Sequence, residues 1–176
     1  FMSFGGGEVY DRIKGLLEIL LVLDKDLTVN ITVDFVIGGK KDNKEQIRSF
    51  LSPCKKLKFN FIEDQMNLFP YMAKADFAVT AAGSTVFELA CLGVPQIVFI
   101  IDKNQEINGN KIKATGLGTC LGGINEINSH NFEKTFFSYL FDDQMKLKLS
   151  NQAQTLIDGK GAQRVAEGIL NYYGYN

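Results

Sequence analysis

Apolar residues along this chain follow two rhythms that take turns. Short, nearly continuous apolar runs alternate with stretches in which apolar positions recur three and four apart. The runs at Phe1 to Phe4, Asn30 to Ile37, Leu57 to Ile62, Phe77 to Ala81, Gln96 to Ile101 and Gly118 to Leu121 predict six strands. Between the first two, Val9, Ile13, Leu16, Leu17, Leu20 and Leu23 mark one face of a helix. Lys40 to Lys44 reads as a polar loop, and Lys44 to Leu51 as a short helix stopped by Ser52-Pro53. Glu63-Asp64 leads into another short helix that ends at Met72. Val86, Leu89 and Ala90 mark a further helix, closed by Gly93 and Pro95. The polar residues Asp102 to Gln105 open a helix that stops near Gly116.

Beyond the sixth strand the alternation ends and helices follow alone. Phe132 to Leu140 and Gln144 to Ile157 carry the helical period, with Asp142 placed as an N-cap. After the Asp158-Gly159-Lys160-Gly161 turn, a last helix sets Ala162, Val165, Ala166, Ile169, Leu170 and Tyr173 on one stripe. Six strands separated by helices require right-handed crossovers and a mostly parallel sheet covered on both faces. The expected class is therefore α/β, a doubly wound, Rossmann-like six-stranded parallel sheet with extra C-terminal helices; its expected strand order is the common doubly wound one, 3-2-1-4-5-6. In that order the winding reverses between strands one and four, and ligands bind outside the carboxyl ends of the strands there. The two turns that meet at that point, Gly5-Gly6-Gly7 and Ala82-Gly83-Ser84-Thr85, are the barest strand-to-helix turns in the chain. Free backbone N–H groups at such a turn favour an anion, and a phosphate is the expected occupant.

Composition narrows this picture. At 176 residues the chain fits a single domain, and 45% hydrophobic with 22% charged residues is ordinary for a globular protein. A net charge of -1 argues against nucleic acid or an anionic membrane as the main partner. Glu18 interrupts the apolar run Gly15 to Leu23, and Val94 to Ile101 is too short to span a bilayer. Cys54, Cys91 and Cys120 are odd in number and form no CxxC pair, so a disulfide framework and a zinc site are both unexpected. They read as small buried hydrophobes in a reducing compartment, and a cytoplasmic location is expected. Because the chain opens mid-strand, an N-terminal partner domain is expected to precede it.

Two common phosphate binders do not fit. No GxxxxGK[ST] occurs, and Gly5-Gly6-Gly7-Glu8-Val9-Tyr10 fails the dinucleotide pattern, with Tyr10 where the third glycine belongs. Gly38-Gly39 also closes strand two without the acid that would hold an NAD ribose. Glu88 has two readings. Near a bound phosphate its carboxylate would accept hydrogen bonds from a ribose diol, but Thr85-x-x-Glu88 has capping-box spacing, and spacing favours the cap. Asn104, Gln105 and Asn108 donate and accept at once, which suits sugar hydroxyls, although a solvated loop explains them locally. Glu63-Asp64 and Asp142-Asp143 read as caps, and His130 as a surface residue of the polar Asn125 to Asn131 connection. No nucleophile–base pair and no metal cluster is found, so no catalytic residue, metal or cofactor is assigned.

Four stretches together carry a resemblance: Asn60-Phe61-Ile62-Glu63-Asp64-Gln65-Met66, then Ala75-Asp76, then Ala82-Gly83-Ser84-Thr85-Val86-Phe87-Glu88-Leu89-Ala90-Cys91-Leu92-Gly93-Val94-Pro95, then Asn104-Gln105 with Asn108. They resemble the C-terminal domain of GT-B-fold nucleotide-sugar enzymes. The likeness is to the MurG-type peptidoglycan N-acetylglucosaminyltransferases and to the pseudaminic-acid-pathway UDP-sugar hydrolases (PseG) with their spore coat polysaccharide cousins. Ser3-Phe4-Gly5-Gly6 and Asp158-Gly159-Lys160-Gly161-Ala162-Gln163-Arg164-Val165 lean towards the hydrolases. The resemblance implies a UDP-sugar ligand, with the Ile62 backbone at the uracil edge and Ala82, Gly83, Ser84 and Thr85 around the diphosphate. Gly5 and Gly6 would border the same cleft, Glu88 would take the ribose hydroxyls, and Gln105, Asn108 and Asn104 would face the sugar. It implies one half of a UDP-sugar hydrolase or glycosyltransferase of surface polysaccharide or glycoconjugate biosynthesis, inactive in isolation because the other domain supplies the general base. In one respect the chain departs from the transferase pattern: Thr80 and Ala81 stand where a basic residue precedes the Gly-Ser turn. The alternative is a non-catalytic nucleotide-sugar or protein-binding module, with Tyr172-Tyr173-Gly174-Tyr175 as its contact surface.

Overall fold

The strands β1 (Met2–Ser3), β2 (Ile31–Val36), β3 (Leu57–Ile62), β4 (Ala78–Ala81), β5 (Gln96–Ile100) and β6 (Thr119–Gly123) form one sheet in a computed structural model, which describes residues 1–174. Their order is β3-β2-β1-β4-β5-β6 and every pairing is parallel, as the alternation of apolar runs and helical stripes requires. The helices are α1 (Tyr10–Asp26), α2 (Lys41–Leu51), α3 (Phe69–Met72), α4 (Thr85–Cys91), α5 (Glu106–Thr115), α6 (Ser129–Phe141), α7 (Asp143–Leu156) and α8 (Gly161–Tyr172). One cluster joins Leu16, Leu20, Phe35, Ile47, Phe99 and Phe132, so α1, α2 and α6 cover one face of the sheet. Val86, Ala90, Val98, Ile112 and Ala153 bring α4, α5 and α7 onto the other. Ile13, Leu16, Leu17, Leu20 and Leu23 on α1 are each at most 1% exposed. Burying that stripe contributes on the order of 10 kcal/mol, an upper figure comparable to the whole net stability of a domain.

Where boundaries differ from the sequence pattern, a particular side chain or backbone angle is the reason. α2 begins at Lys41, a turn before the predicted start, because buried Asn43 is held from outside the helix. Its Oδ1 accepts from the Tyr10 N–H at 2.9 Å and its Nδ2 donates to the Gly38 carbonyl at 2.8 Å. α6 begins at Ser129, where Asn128 accepts from the Asn131 N–H at 2.9 Å, and this places His130 in the first turn, exposed. Asp142 caps α7 by accepting from the Met145 N–H at 2.8 Å, as expected. Glu63 and Asp64 are not caps. Lys44 Nζ binds Glu63 at 3.1 Å and Asp64 at 3.2 Å, and Arg48 pairs with Glu63. The helix they were expected to start shrinks to α3, because Asp64 sits at φ 51°, a left-handed conformation that breaks a helix. Every residue of α8 is exposed, its apolar stripe included, and Ala162 and Arg164 line a groove with Phe87 and Cys91 of α4. Of the aromatic tail, Tyr172 and Tyr173 are exposed and Tyr175 lies outside the described residues.

Candidate functional site

β1 pairs directly with β4, Met2 opposite Val79 and Ser3 opposite Thr80, and the Thr80 hydroxyl donates to the Ser3 carbonyl at 2.9 Å. The turns that follow these strands therefore leave the sheet side by side at its carboxyl edge. In the second turn, the Ala82 N–H donates to the Phe99 carbonyl and the Gly83 N–H folds back onto the Ala81 carbonyl, both at 2.8 Å. The next two amides, of Ser84 and Thr85, have no partner among the described residues. Ser84 makes no side-chain cap for α4, so nothing internal competes for them.

The glycines here are of two kinds. A Cβ placed on Gly5, Gly6, Gly7 or Gly83 would meet nothing within 4 Å. Gly5 needs glycine for its φ of +94°; at Gly6, Gly7 and Gly83 no contact within the chain calls for it. Gly38 is the opposite case. A Cβ there would collide with the Gly6 backbone, because the Gly5-Gly6-Gly7 turn lies on Gly38-Gly39 and the Gly39 N–H donates to the Gly6 carbonyl at 3.0 Å.

Glu88 does not form the capping box that spacing favoured. Its carboxylate has no hydrogen-bond or ion-pair partner among the described residues, and it is exposed on the first part of α4. A box needs an Ncap side chain with β-region backbone at the helix start, whereas Ser84 is already helical at φ −65°, ψ −32°, and α4 starts at Thr85. Glu88 instead faces a groove of about 720 Å³ that Met66, Leu68, Phe87, Leu92 and Arg164 also line. Ile62 ends β3, which β2 and β1 separate from β4. Its carbonyl accepts from the Ile37 N–H at 3.0 Å and keeps one lone pair, while the segment after it returns through Met66 and Leu68 to the Glu88 groove.

Of the three amide residues, two support backbone. Asn108 Nδ2 donates to the Ala82 carbonyl at 3.2 Å and thereby props the Gly83 turn. Gln105 Oε1 accepts from the Ile101 N–H at 3.1 Å, which leaves its NH₂ free. Asn104 is exposed. The structure thus brings Ala82, Gly83, Ser84, Thr85 and Asn108 together, sets Gly5 and Gly6 beside them, and places Ile62 apart.

Sequence reading missed one feature of this edge. Arg12, on the first turn of α1, forms an ion pair with Asp102, which follows β5. The two are 90 residues apart, so no local pattern marks them. It also missed a cavity of about 280 Å³ at the amino edge, where Phe1, Leu20, Ile31, Asp34 and Phe77 converge. Asp34 is buried there, yet its carboxyl is held below the usual range. Burial pushes it up, but hydrogen bonds from Asn60 and Lys74, at 2.8 and 3.0 Å, outweigh that. The Cys54 thiol, beside Asp24, is pushed up to about 11 by burial and by that carboxylate, so it is a poor nucleophile. The carboxyl edge of β1, β4 and β5 thus carries backbone donors and, in Glu88, a carboxylate without partners among the described residues, together with a guanidinium paired with Asp102.

A doubly wound sheet of this kind is shared with proteins of known structure. The crystal structure of MurG from Acinetobacter baumannii superposes with a TM-score of 0.73 at 18% identity, over 97% of this chain and 49% of that one. UDP-GlcNAc 2-epimerase from Neisseria meningitidis, solved bound to UDP-GlcNAc, gives 0.65 at 20% identity, over 97% of this chain and 43% of that one. The fold is that of the C-terminal domain of a GT-B protein. Residues 16–164 match the glycosyltransferase family 28 C-terminal domain, and the chain belongs to that family. The spore coat polysaccharide biosynthesis protein SpsG of Bacillus subtilis is 25% identical over 139 residues, which are 79% of this chain and 40% of that protein. The chain spans less than half the length of each of these relatives. No helix among the described residues is long and apolar enough to cross a membrane.

Proposed function

We propose that this chain is the nucleotide-sugar-binding half of a two-domain enzyme, a hydrolase or glycosyltransferase acting on a UDP-sugar in surface polysaccharide or glycoconjugate biosynthesis. The observation that carries the reading is the pair of bare turns at the β1–β4 junction, where glycines that packing does not demand adjoin the unpartnered Ser84 and Thr85 amides. A diphosphate on those amides would lie between the turn and Gly5-Gly6. Glu88 would then accept from the ribose diol, which its lack of any internal partner permits. Backbone at Ile62 would meet the uracil edge, and Gln105, Asn108 and Asn104 would face the sugar.

In this role the chain positions the donor and stabilises the leaving group. When water or an acceptor hydroxyl attacks the anomeric carbon, the bond from that carbon to the diphosphate oxygen breaks and the electron pair stays on the diphosphate. Preorganised amides aimed at that oxygen lower the barrier without reorganising. The base that takes the attacking proton would come from the other domain, whose packing would also cover the apolar stripe of α8. On its own the chain is expected to bind UDP and turn over nothing.

Calorimetry with UDP tests the assignment. Glu88→Ala should weaken UDP binding by about tenfold, the worth of a charged hydrogen-bond pair on a diol, and should leave pyrophosphate binding unchanged. Equal UDP affinities for the two proteins would remove the ribose role; no UDP binding by the wild-type chain would remove the nucleotide reading.

A further inference from the structure

We infer that Arg12 is a counter-cation for the diphosphate, held by Asp102 when the site is empty and exchanged onto the ligand when it binds. This rests on the nucleotide reading above. The turn from Thr80 to Thr85 contains no basic residue, so its amides by themselves leave an anionic ligand largely uncompensated. On the β2 and β3 side, Lys44 is held by both Glu63 and Asp64, and Lys40 follows β2, on the far side of β1 from the Ala82–Thr85 turn. Arg12 is differently placed. It follows the Gly5-Gly6-Gly7 turn on α1, while Asp102 follows β5, and β4 lies between β1 and β5 in the sheet. The Arg12–Asp102 pair therefore bridges across the carboxyl end of β4, where the Ala82–Thr85 turn emerges.

The pair has the properties of a latch rather than a strut. Its side chains are 49% and 48% exposed, the situation in which an ion pair contributes little and exchanges readily. Asp102 offers one carboxylate to the guanidinium. A diphosphate offers several oxygens in a geometry the guanidinium fork matches bidentately, with more charge. Binding then releases Asp102 to solvent, and its carboxylate acts in the empty site as a competitor for the same cation.

That competition gives a test with opposite signs. Calorimetry of the chain with UDP should show Arg12→Gln binding about tenfold more weakly and Arg12→Lys recovering part of the loss. Asp102→Asn, which breaks the same pair, should bind UDP about threefold more tightly. Uridine, titrated by NMR, should bind all variants equally, and Lys103→Ala, one residue beyond Asp102, should match wild type. If the pair merely braces the fold, Arg12→Gln and Asp102→Asn move in the same direction, and that result overturns the exchange. A loss in Lys103→Ala equal to that in Arg12→Gln overturns it too, since it would mean diffuse attraction. Failure of the wild-type chain to bind UDP at all overturns the nucleotide reading first and this role with it.

Discussion

Gly38 and Gly83 are alike in sequence and opposite in cause. Gly38 is glycine because the Gly6 backbone occupies the place of its side chain, whereas Gly83 faces open space. Gly38→Ala should therefore cost about 1–3 kcal/mol in urea unfolding, the usual penalty for forcing atoms into a packed site. Gly83→Ala should unfold like wild type while UDP affinity falls, because the new methyl enters the space assigned to the diphosphate. Asp24 makes a second residue-level case. It is 6% exposed and accepts from the N–H groups of Lys55, Lys56 and Leu57 at 2.8, 2.8 and 2.6 Å, so one carboxylate ties the end of α1 to the start of β3. Burial pushes its carboxyl up, but the three backbone donors outweigh burial and hold it below the usual range. A lowered folded value means that the stabilisation is complete above the unfolded carboxyl range near pH 4 and is lost as pH falls through the folded value. Urea midpoints measured across that window should decline for the wild type and decline less for Asp24→Asn, which should also be less stable by about 1–3 kcal/mol at neutral pH.

Elements were legible to the extent that their causes are local. The stripe of α1 and the apolar run of β5 carry their own period, and the Asp142 cap of α7 lies three residues from the N–H it binds. The start of α2 was not legible, because Asn43 answers to Tyr10 and Gly38. Nor was the fate of Glu63 and Asp64, which are drawn to Lys44 and Arg48 of a helix 15 to 20 residues earlier. α8 shows the limit from the other side. Its stripe of Val165, Ile169 and Leu170 was predicted correctly, yet these side chains remain 49–64% exposed. A helix that buries little contributes little to the fold, so removing residues 161–176 should shift the melting temperature by no more than about 3 °C. A large drop in a calorimetric scan would show that α8 packs on this domain after all.

For the molecule as a whole, periodicity along the chain determined the class of fold, because parallel strands buried on two faces and helices buried on one leave different rhythms in the sequence. It also determined where bare turns fall; right-handed crossovers narrowed the topologies, and the order β3-β2-β1-β4-β5-β6 is a common one among those left. Only the tertiary structure decided which polar groups are spent and which are free. It engaged Gln105 and Asn108 with backbone, left Glu88 and the Ser84 and Thr85 amides without partners among the described residues, and brought Arg12 to Asp102 across β4. The physical reason is range: hydrophobic period and turn chemistry act over a few residues, whereas a hydrogen bond or ion pair depends on what the folded chain brings within about 3 Å.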